Sequence, residues 1–390
     1  MKVLSVFGTR PEAIKMAPVV RELEGHGRQI ESRVCVTGQH RDMLDQVLDM
    51  FHIGTDYDLD IMRPGQSPAQ VAAKVMGALE PVLRAEQPDW VLVQGDTTTA
   101  AAAGLAAFYG GFKVGHVEAG LRTFEDRNPF PEEANRRLAA VVADLHFAPT
   151  KSALENLLFE GVPFERTVLT GNTVIDALQE AASLDYDFST GPLSGLRWNR
   201  RLVLVTSHRR ENFGAPLESI CRAVSDVAGA APDTDFIFTV HPNPEVQSTV
   251  RRMLGGVPNV SLLPPLDYLP LVQLLKRCHL VMTDSGGLQE EAPSLGKPVL
   301  VLRDSTERPE AVEAGTARLV GTDRETIRGA ALELLRDENG YRRMAHAVNP
   351  YGDGRAAPRT VEALLRSSAE LEAQPEPVSE QRSISLAAAS

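Results

Sequence analysis

Short apolar runs of strand length recur along this chain with longer helical stretches between them, and that alternation leaves few folds open. The first group comprises Val3–Phe7, Val34–Thr37, Trp90–Gln94, Val114–Val117 and Leu145–Ala148, with helical periodicity at 69–83 and 99–108. Such a pattern predicts βαβ units, hence an α/β fold whose parallel sheets carry helices on both faces. The alternation stops at 185–199, which reads as a linker or inserted loop. It resumes with Leu202–Thr206, Phe236–Val240, Val260–Leu263, Leu280–Thr283 and Val299–Leu302. Two α/β halves separated by a hinge are therefore expected, and ligands in such folds bind at the carboxyl ends of the strands. Beyond the Gly352-Asp353-Gly354 turn, 355–373 reads as a terminal helix. The segment 374–390, rich in Pro, Ser, Glu and Ala and lacking aromatics, reads as disordered.

Composition narrows the partners. A chain of 390 residues with 43% hydrophobic and 24% charged residues is that of a globular protein with two to three domains. Its net charge of −12 argues against nucleic acid or an anionic membrane as the main partner. No run approaches the length of a membrane span, and 1–7 is too short for a signal peptide. Cys35, Cys221 and Cys278 are scattered and form no C-x-x-C pair, as expected of reduced thiols in a cytoplasmic protein.

Chemistry-bearing residues fall at the strand ends. Thr283-Asp284-Ser285-Gly286-Gly287-Leu288 joins a strand to a helix, so Ser285, Gly286 and Gly287 offer either a tight packed turn or a site for an anion such as phosphate. Glu291 lies about a turn further on, placed to accept from a ribose diol. The first strand ends in Gly8-Thr9-Arg10-Pro11-Glu12, which is not G-x-G-x-x-G, and nicotinamide chemistry loses its main support. Arg10 and Lys15 place two cations near that helix start, where a diphosphate or plain solvent suits them. Asp96 follows the Trp90–Gln94 run, and a helix cap and a working carboxylate both fit it. Glu118 closes the next strand, and Glu132 and Glu133 follow Pro131 in a first helical turn. Three acids at strand ends of one half face a cation-rich segment in the other, His208-Arg209-Arg210, with His241 at a further strand end. No His, Cys or carboxylate spacing suits a metal, and no G-x-S-x-G elbow supports a serine hydrolase.

Taken together, these segments resemble the non-hydrolysing UDP-N-acetylglucosamine 2-epimerases from residue 1 to about 370. The resemblance rests on Phe7-Gly8-Thr9-Arg10-Pro11-Glu12, Gly95-Asp96-Thr97-Thr98-Thr99, His116-Val117-Glu118-Ala119-Gly120-Leu121-Arg122 and Pro131-Glu132-Glu133-Ala134-Asn135-Arg136. It continues through His208-Arg209-Arg210-Glu211-Asn212, Thr283 to Pro293 and Glu307-Arg308-Pro309-Glu310. It implies a GT-B architecture of two Rossmann-like, doubly wound parallel-sheet domains with the substrate in the cleft between them: a first domain over 1–170, a UDP-binding domain over 171–354, and a C-terminal helix near 355–372 crossing back to the first.

It also implies a homodimer that interconverts UDP-GlcNAc and UDP-ManNAc without cofactor or metal, supplying ManNAc-type sugars for cell-surface polysaccharide. The route implied is elimination of UDP to a 2-acetamidoglucal and its return after protonation of the opposite face. By resemblance Asp96, Glu118 and Glu132 serve the sugar, and His208 and Arg10 the diphosphate. Ser285, Gly286 and Gly287 cradle phosphate, Glu291 holds the ribose, and Lys15 and Arg308 support the nucleotide.

This chain departs from the family where uracil is held, with Leu266 and Leu271 in place of Gln and Phe. Asp42 and Gly65 stand where some members carry a Gln and an Arg for an activating second UDP-GlcNAc, whereas Gln39, Arg210 and His241 remain compatible with that site. A hydrolysing relative, a GT-B glycosyltransferase and a nucleotide-sugar sensor are the alternatives. The last has no reason to keep Asp96, Glu118, Glu132 and His208 together.

Overall fold

In this computed structural model, which describes residues 1–38, 41–63 and 65–373, every strand pairing is parallel. The 374–390 segment and Gln39 lie outside the described residues. The first sheet comprises β1 (Lys2–Phe7), β2 (Glu31–Val36), β3 (Tyr57–Asp58), β4 (Trp90–Gln94), β5 (Lys113–Val117), β6 (Leu145–Ala148) and β7 (Thr167–Leu169). Its order is β3-β2-β1-β4-β5-β6-β7. The second comprises β8 (Arg201–Ser207), β9 (Thr234–Val240), β10 (Val260–Leu263), β11 (Leu280–Thr283), β12 (Val299–Val301) and β13 (Ala317–Leu319), in the order β10-β9-β8-β11-β12-β13. Helices cover both faces, so a central strand such as β4 is buried at every residue and reads as continuous apolar sequence.

The two sheets share one winding, and the strand order reverses between β1 and β4 and again between β8 and β11. Loops leaving those neighbours diverge and open a crevice at the carboxyl edge. That position is where residues 8–12, 95–99, 207–212 and 284–291 fall. At the first, Thr9 and Glu12 form a reciprocal capping box on helix Arg10–Gly25, with Pro11 in its first turn.

Helix Thr173–Ser183 joins the halves. It packs on helix Arg10–Gly25 from one side and on helices Tyr268–Arg277 and Gly286–Ser294 from the other. Its Ile175, Leu178 and Ala181 sit in one apolar cluster with Val20 of the first half and Leu275 of the second. Helix Ala356–Ala373 then packs on helices Arg10–Gly25 and Thr173–Ser183, burying Val361 and Leu364. Its first N–H groups, from Ala356 and Ala357, donate to the Asp176 carboxylate at 3.1 and 2.9 Å. Near its far end, Ser368 meets the Trp90 indole N–H at 3.3 Å.

The two chain segments that pass between the halves touch at Gly171 and Gly352, both at positive φ. A Cβ on Gly171 would lie 3.3 Å from the Gly352 Cα, so the crossing is closed to larger residues. Beside it, the Asn172 N–H donates to the Tyr351 carbonyl at 2.7 Å.

The 185–199 segment is not a loose linker. Leu193 is fully buried, Phe188 meets Tyr186 and Trp198 edge-on at 5.0 and 4.6 Å between ring centres, and the Arg277 guanidinium lies 4.1 Å from the Phe188 ring centre. Contacts of this kind hold a segment without imposing a periodicity on its sequence.

Candidate active site

The strand-end residues gather around two adjoining cavities. A larger one of about 910 Å3 is lined by Thr9, Lys15, Gln94, Asp96, Glu118 and Glu132, among others. A smaller one of about 440 Å3 is lined by Arg10, His208, His241, Leu266, Ser285 and Glu291, among others. The turn Thr9-Arg10-Pro11 contributes to both, so they form one cleft between the sheets.

Glu118 dominates the larger end. It follows β5 with φ of +63°, a conformation that costs a non-glycine residue of order 1 kcal/mol and marks a constrained position. Its carboxylate, 8% exposed, receives Lys15 Nζ at 2.6 and 2.7 Å, Asn172 Nδ2 at 2.9 Å and the Gln94 side-chain amide. Burial alone would raise its pKa, but Lys15 and the other donors outweigh burial and hold it below the ordinary carboxylate value. Burial likewise disfavours the charge on Lys15, and Glu118 more than restores it. Lys15 thus lines the same cavity as the acids.

The neighbouring acids differ in surroundings. Asp96 does not cap the helix that follows it: Thr97 does, accepting from the Ala100 N–H at 3.0 Å. This leaves the Asp96 carboxylate to the cleft, where Arg136 binds it, while Asn135 Nδ2 holds the Asp96 carbonyl at 3.0 Å. Glu133 is buried in structural duty, accepting from the Thr123 and Phe124 N–H groups at 3.1 and 3.2 Å and from Arg136. Glu132 instead lines the cavity and has no hydrogen-bond or ion-pair partner among the described residues.

At the smaller end, helix Gly286–Ser294 begins directly after β11, with Ser285 as its cap. Among the described residues nothing accepts from the Gly286 or Gly287 N–H, and both glycines have ordinary negative-φ backbone. Their lack of a side chain is therefore spent on open approach to the first turn, a ready anion site. Arg10 lines the same cavity, where its charge acts on Glu291, and its side chain has no hydrogen-bond or ion-pair partner among the described residues.

His208 sits at the mouth, its Nδ1 3.0 Å from Asp284 Oδ1. Asp284 is fully buried and also accepts from the His208 and Arg209 N–H groups and from Ser207 and Asn212. Burial pushes its pKa up, yet His208 and these donors hold it below the ordinary value. The buried carboxylate fixes the tautomer with N–H at Nδ1 and leaves Nε2 for the cleft. Arg210 is exposed without a partner among the described residues, and His241 Nδ1 accepts from the Asn243 N–H at 3.2 Å.

Arg308 lies between the two ends, paired with the buried Glu290, which also receives Asn172 Nδ2 at 2.6 Å. Among the described residues no group of three or more His, Cys, Asp or Glu could hold a metal ion, and no helix is long and apolar enough to cross a membrane.

The model of a family described as UDP-N-acetylglucosamine 2-epimerase matches residues 21–365. The UDP-N-acetylglucosamine 2-epimerase of Escherichia coli is 54% identical over 372 residues, covering 93% of this chain and 98% of its own. The chain belongs to the UDP-N-acetylglucosamine 2-epimerase family. The crystal structure of the Neisseria meningitidis UDP-GlcNAc 2-epimerase bound to UDP-GlcNAc superposes with a TM-score of 0.84 at 48% identity, covering 94% of this chain and all of the other. The glycotransferase of kitacinnamycin, at 14% identity and a TM-score of 0.61, shares the fold alone, a GT-B pair of sheets.

Several residues of the cleft escape a reading of strand ends. Asp284 stands in the same turn as Ser285, where its neighbours carry the stronger signal. Gln94 ends β4 as the one polar residue of an apolar run, a usable signal. Asn172 looks like a helix cap, and Glu290 is hidden beside Glu291.

Glu291 is an acid held towards its neutral form. Burial, then the charge of Glu290, raise its pKa to about 7. A raised carboxyl pKa contributes stability that is fully present below the ordinary value of 4.5 and is lost as pH rises through about 7. Glu291→Gln removes that loss, so its thermal midpoint should gain on the parent's between pH 5 and pH 8, with a ceiling of about 3 kcal/mol. A difference between the two melts that stays constant over this range would show that Glu291 is not a buried acid.

Proposed function

We propose that this protein interconverts UDP-GlcNAc and UDP-ManNAc without hydrolysis, through elimination and return of UDP. What carries the reading is one cleft that joins Asp96, Glu118 and Glu132 to an open helix N-terminus flanked by Arg10 and His208. The C2 proton beside an acetamido group is too weakly acidic for simple removal. Loss of that proton together with C1–O cleavage avoids a full carbanion: the C2–H electrons become the C1=C2 bond and UDP departs with the C1–O pair. Return of UDP to C1, with a proton delivered to the other face of C2, completes the inversion.

In this reading the Ser285–Gly287 turn, Arg10 and His208 hold the diphosphate and stabilise its charge as it leaves. Glu291 meets the ribose, and Leu266 and Leu271 border the base through apolar contact. Lys15 and Arg308 supply positive charge where sugar and diphosphate meet. Glu132, unpaired among the described residues, is the acid freest to exchange a proton. Glu118 is held by donors on both oxygens, which suits a fixed charge that orients the sugar and its acid partners. Asp96, with Arg136 behind it, faces the same space.

The surroundings fit a cytoplasmic homodimer. Cys35, Cys221 and Cys278 are buried, and burial pushes each thiol up to about 12, as suits unreactive thiols. Nine of the ten large hydrophobics exposed among the described residues lie between 108 and 169, including Phe108, Leu138, Val141 and Phe159. An apolar concentration of that kind suits a second copy. By the resemblance, the UDP-ManNAc product supplies ManNAc-type sugars for cell-surface polysaccharide.

Proton NMR with UDP-GlcNAc in D2O, without cofactor, tests the reaction. Expected is UDP-ManNAc carrying deuterium at C2; free ManNAc with UDP would point instead to the hydrolysing branch, and an unlabelled product would show that solvent does not supply the C2 proton. Glu118→Gln should lower kcat by about 100-fold or more while leaving the Kd for UDP within a few-fold; near-normal turnover would remove Glu118 from the chemistry. In sedimentation, the parent should run as a dimer and Val141→Glu shift towards monomer. A monomeric parent, or an unaffected variant, would overturn the assignment of this face.

A further inference from the structure

Asn172 occupies a place that its role as a helix cap does not explain. Its Oδ1 accepts from the Val174 N–H at 3.1 Å, capping helix Thr173–Ser183. That bond orients the amide, so Nδ2 is the atom turned towards the cleft. Nδ2 then donates to two carboxylates, Glu118 at 2.9 Å and Glu290 at 2.6 Å. The three side chains are 2%, 8% and 3% exposed, so solvent does little to separate the two negative charges. Each carboxylate has its own cation on the far side, Lys15 for Glu118 and Arg308 for Glu290.

We propose that Asn172 is a positioning residue whose single amide locks the acid end of the cleft to the nucleotide end. Glu118 belongs to the first sheet's carboxyl edge, and Glu290 to the helix whose first turn is open to an anion. Asn172 itself stands at the crossing of the two connecting segments, its N–H on the Tyr351 carbonyl. The amide is neutral and presents two hydrogens, one for each carboxylate. A residue with only acceptors in its place would leave two buried acids facing a third. The inference rests on the reading of the cleft as an epimerase site.

Asn172→Asp separates this role from capping, because Asp caps a helix about as well as Asn. The other ionisable groups around position 172 are Lys15, Glu118, Glu290, Glu291, Arg308, Tyr351 and, hydrogen-bonded to Tyr351, Glu310. With a third carboxylate there, the cluster must take up a proton to regain a donor. The variant should therefore approach the parent near pH 6 and fall away as pH rises, its kcat/KM dropping by 100-fold or more at pH 8.5 with UDP affinity within about threefold. Its thermal midpoint relative to the parent should fall over the same range. That melt uses no substrate, so it tests the bridge even if the reaction proves different. A variant-to-parent ratio that stays flat in both rate and melt from pH 6 to 9 would reduce Asn172 to a cap.

Should Asn172→Asp fail to fold, Glu290→Gln takes its place. It leaves Arg308 without its partner, and kcat should drop at least tenfold while UDP binding stays within threefold. An unchanged kcat would overturn the proposal.

Discussion

A carboxylate taken from water into a protein interior loses several kcal/mol of hydration, and that loss must be matched by partners of good geometry. Glu118 meets the requirement with a lysine, an asparagine and a glutamine drawn from three separate parts of the chain. Each donor is held by an element that the fold supplies: Lys15 by the helix after β1, Gln94 by the end of β4, Asn172 by the helix joining the halves. The arrangement therefore exists only when the first sheet and the start of the connecting helix are in place, and Asn172 carries it on to Glu290 of the second half. Electrostatics in the cleft and the relative setting of the two halves are one problem with one solution.

The parallel winding explains why the chemistry falls where it does. Each sheet reverses its strand order once, and at each reversal the loops part to leave a crevice at the carboxyl edge. Placing two such edges opposite each other gives one wall rich in acids and another with an open helix terminus. The same construction in a protein only 14% identical shows that this geometry is a property of the fold. The identity of the acids is not. Asp96, Glu118 and Glu132 are choices made on that frame.

Much of this was legible before the coordinates. Buried strands announce themselves as apolar runs, so the central strands of both sheets were placed almost to the residue, while edge strands such as β3, β7 and β13 span only two or three residues and leave no pattern. Strand ends then located Arg10, Asp96, Glu118, His208 and Ser285 as a group. Where the local pattern leaves two readings open, or gives no signal, the cause is physical. Asp96 looked like a possible cap because Asp favours that position, but Thr97 was one residue better placed. The 185–199 segment looked like a linker because Tyr186, Phe188 and Trp198 are fixed by contacts with each other and with the distant Arg277. Asn172 and Glu290 were passed over because a bond across 118 positions has no local signature.

The return of helix Ala356–Ala373 to the first half bears on how the chain is made. Val361 and Leu364 complete an apolar layer begun by helix Arg10–Gly25, and Ser368 reaches the indole of Trp90. A ribosome releases the first sheet long before it releases that helix. During synthesis, the first half must wait with part of its apolar surface uncovered until the whole second half has emerged. Contacts closed over so many residues are the slow ones in folding. Helix Ala356–Ala373 thus packs on residues made long before it, and that part of the fold closes only late in synthesis.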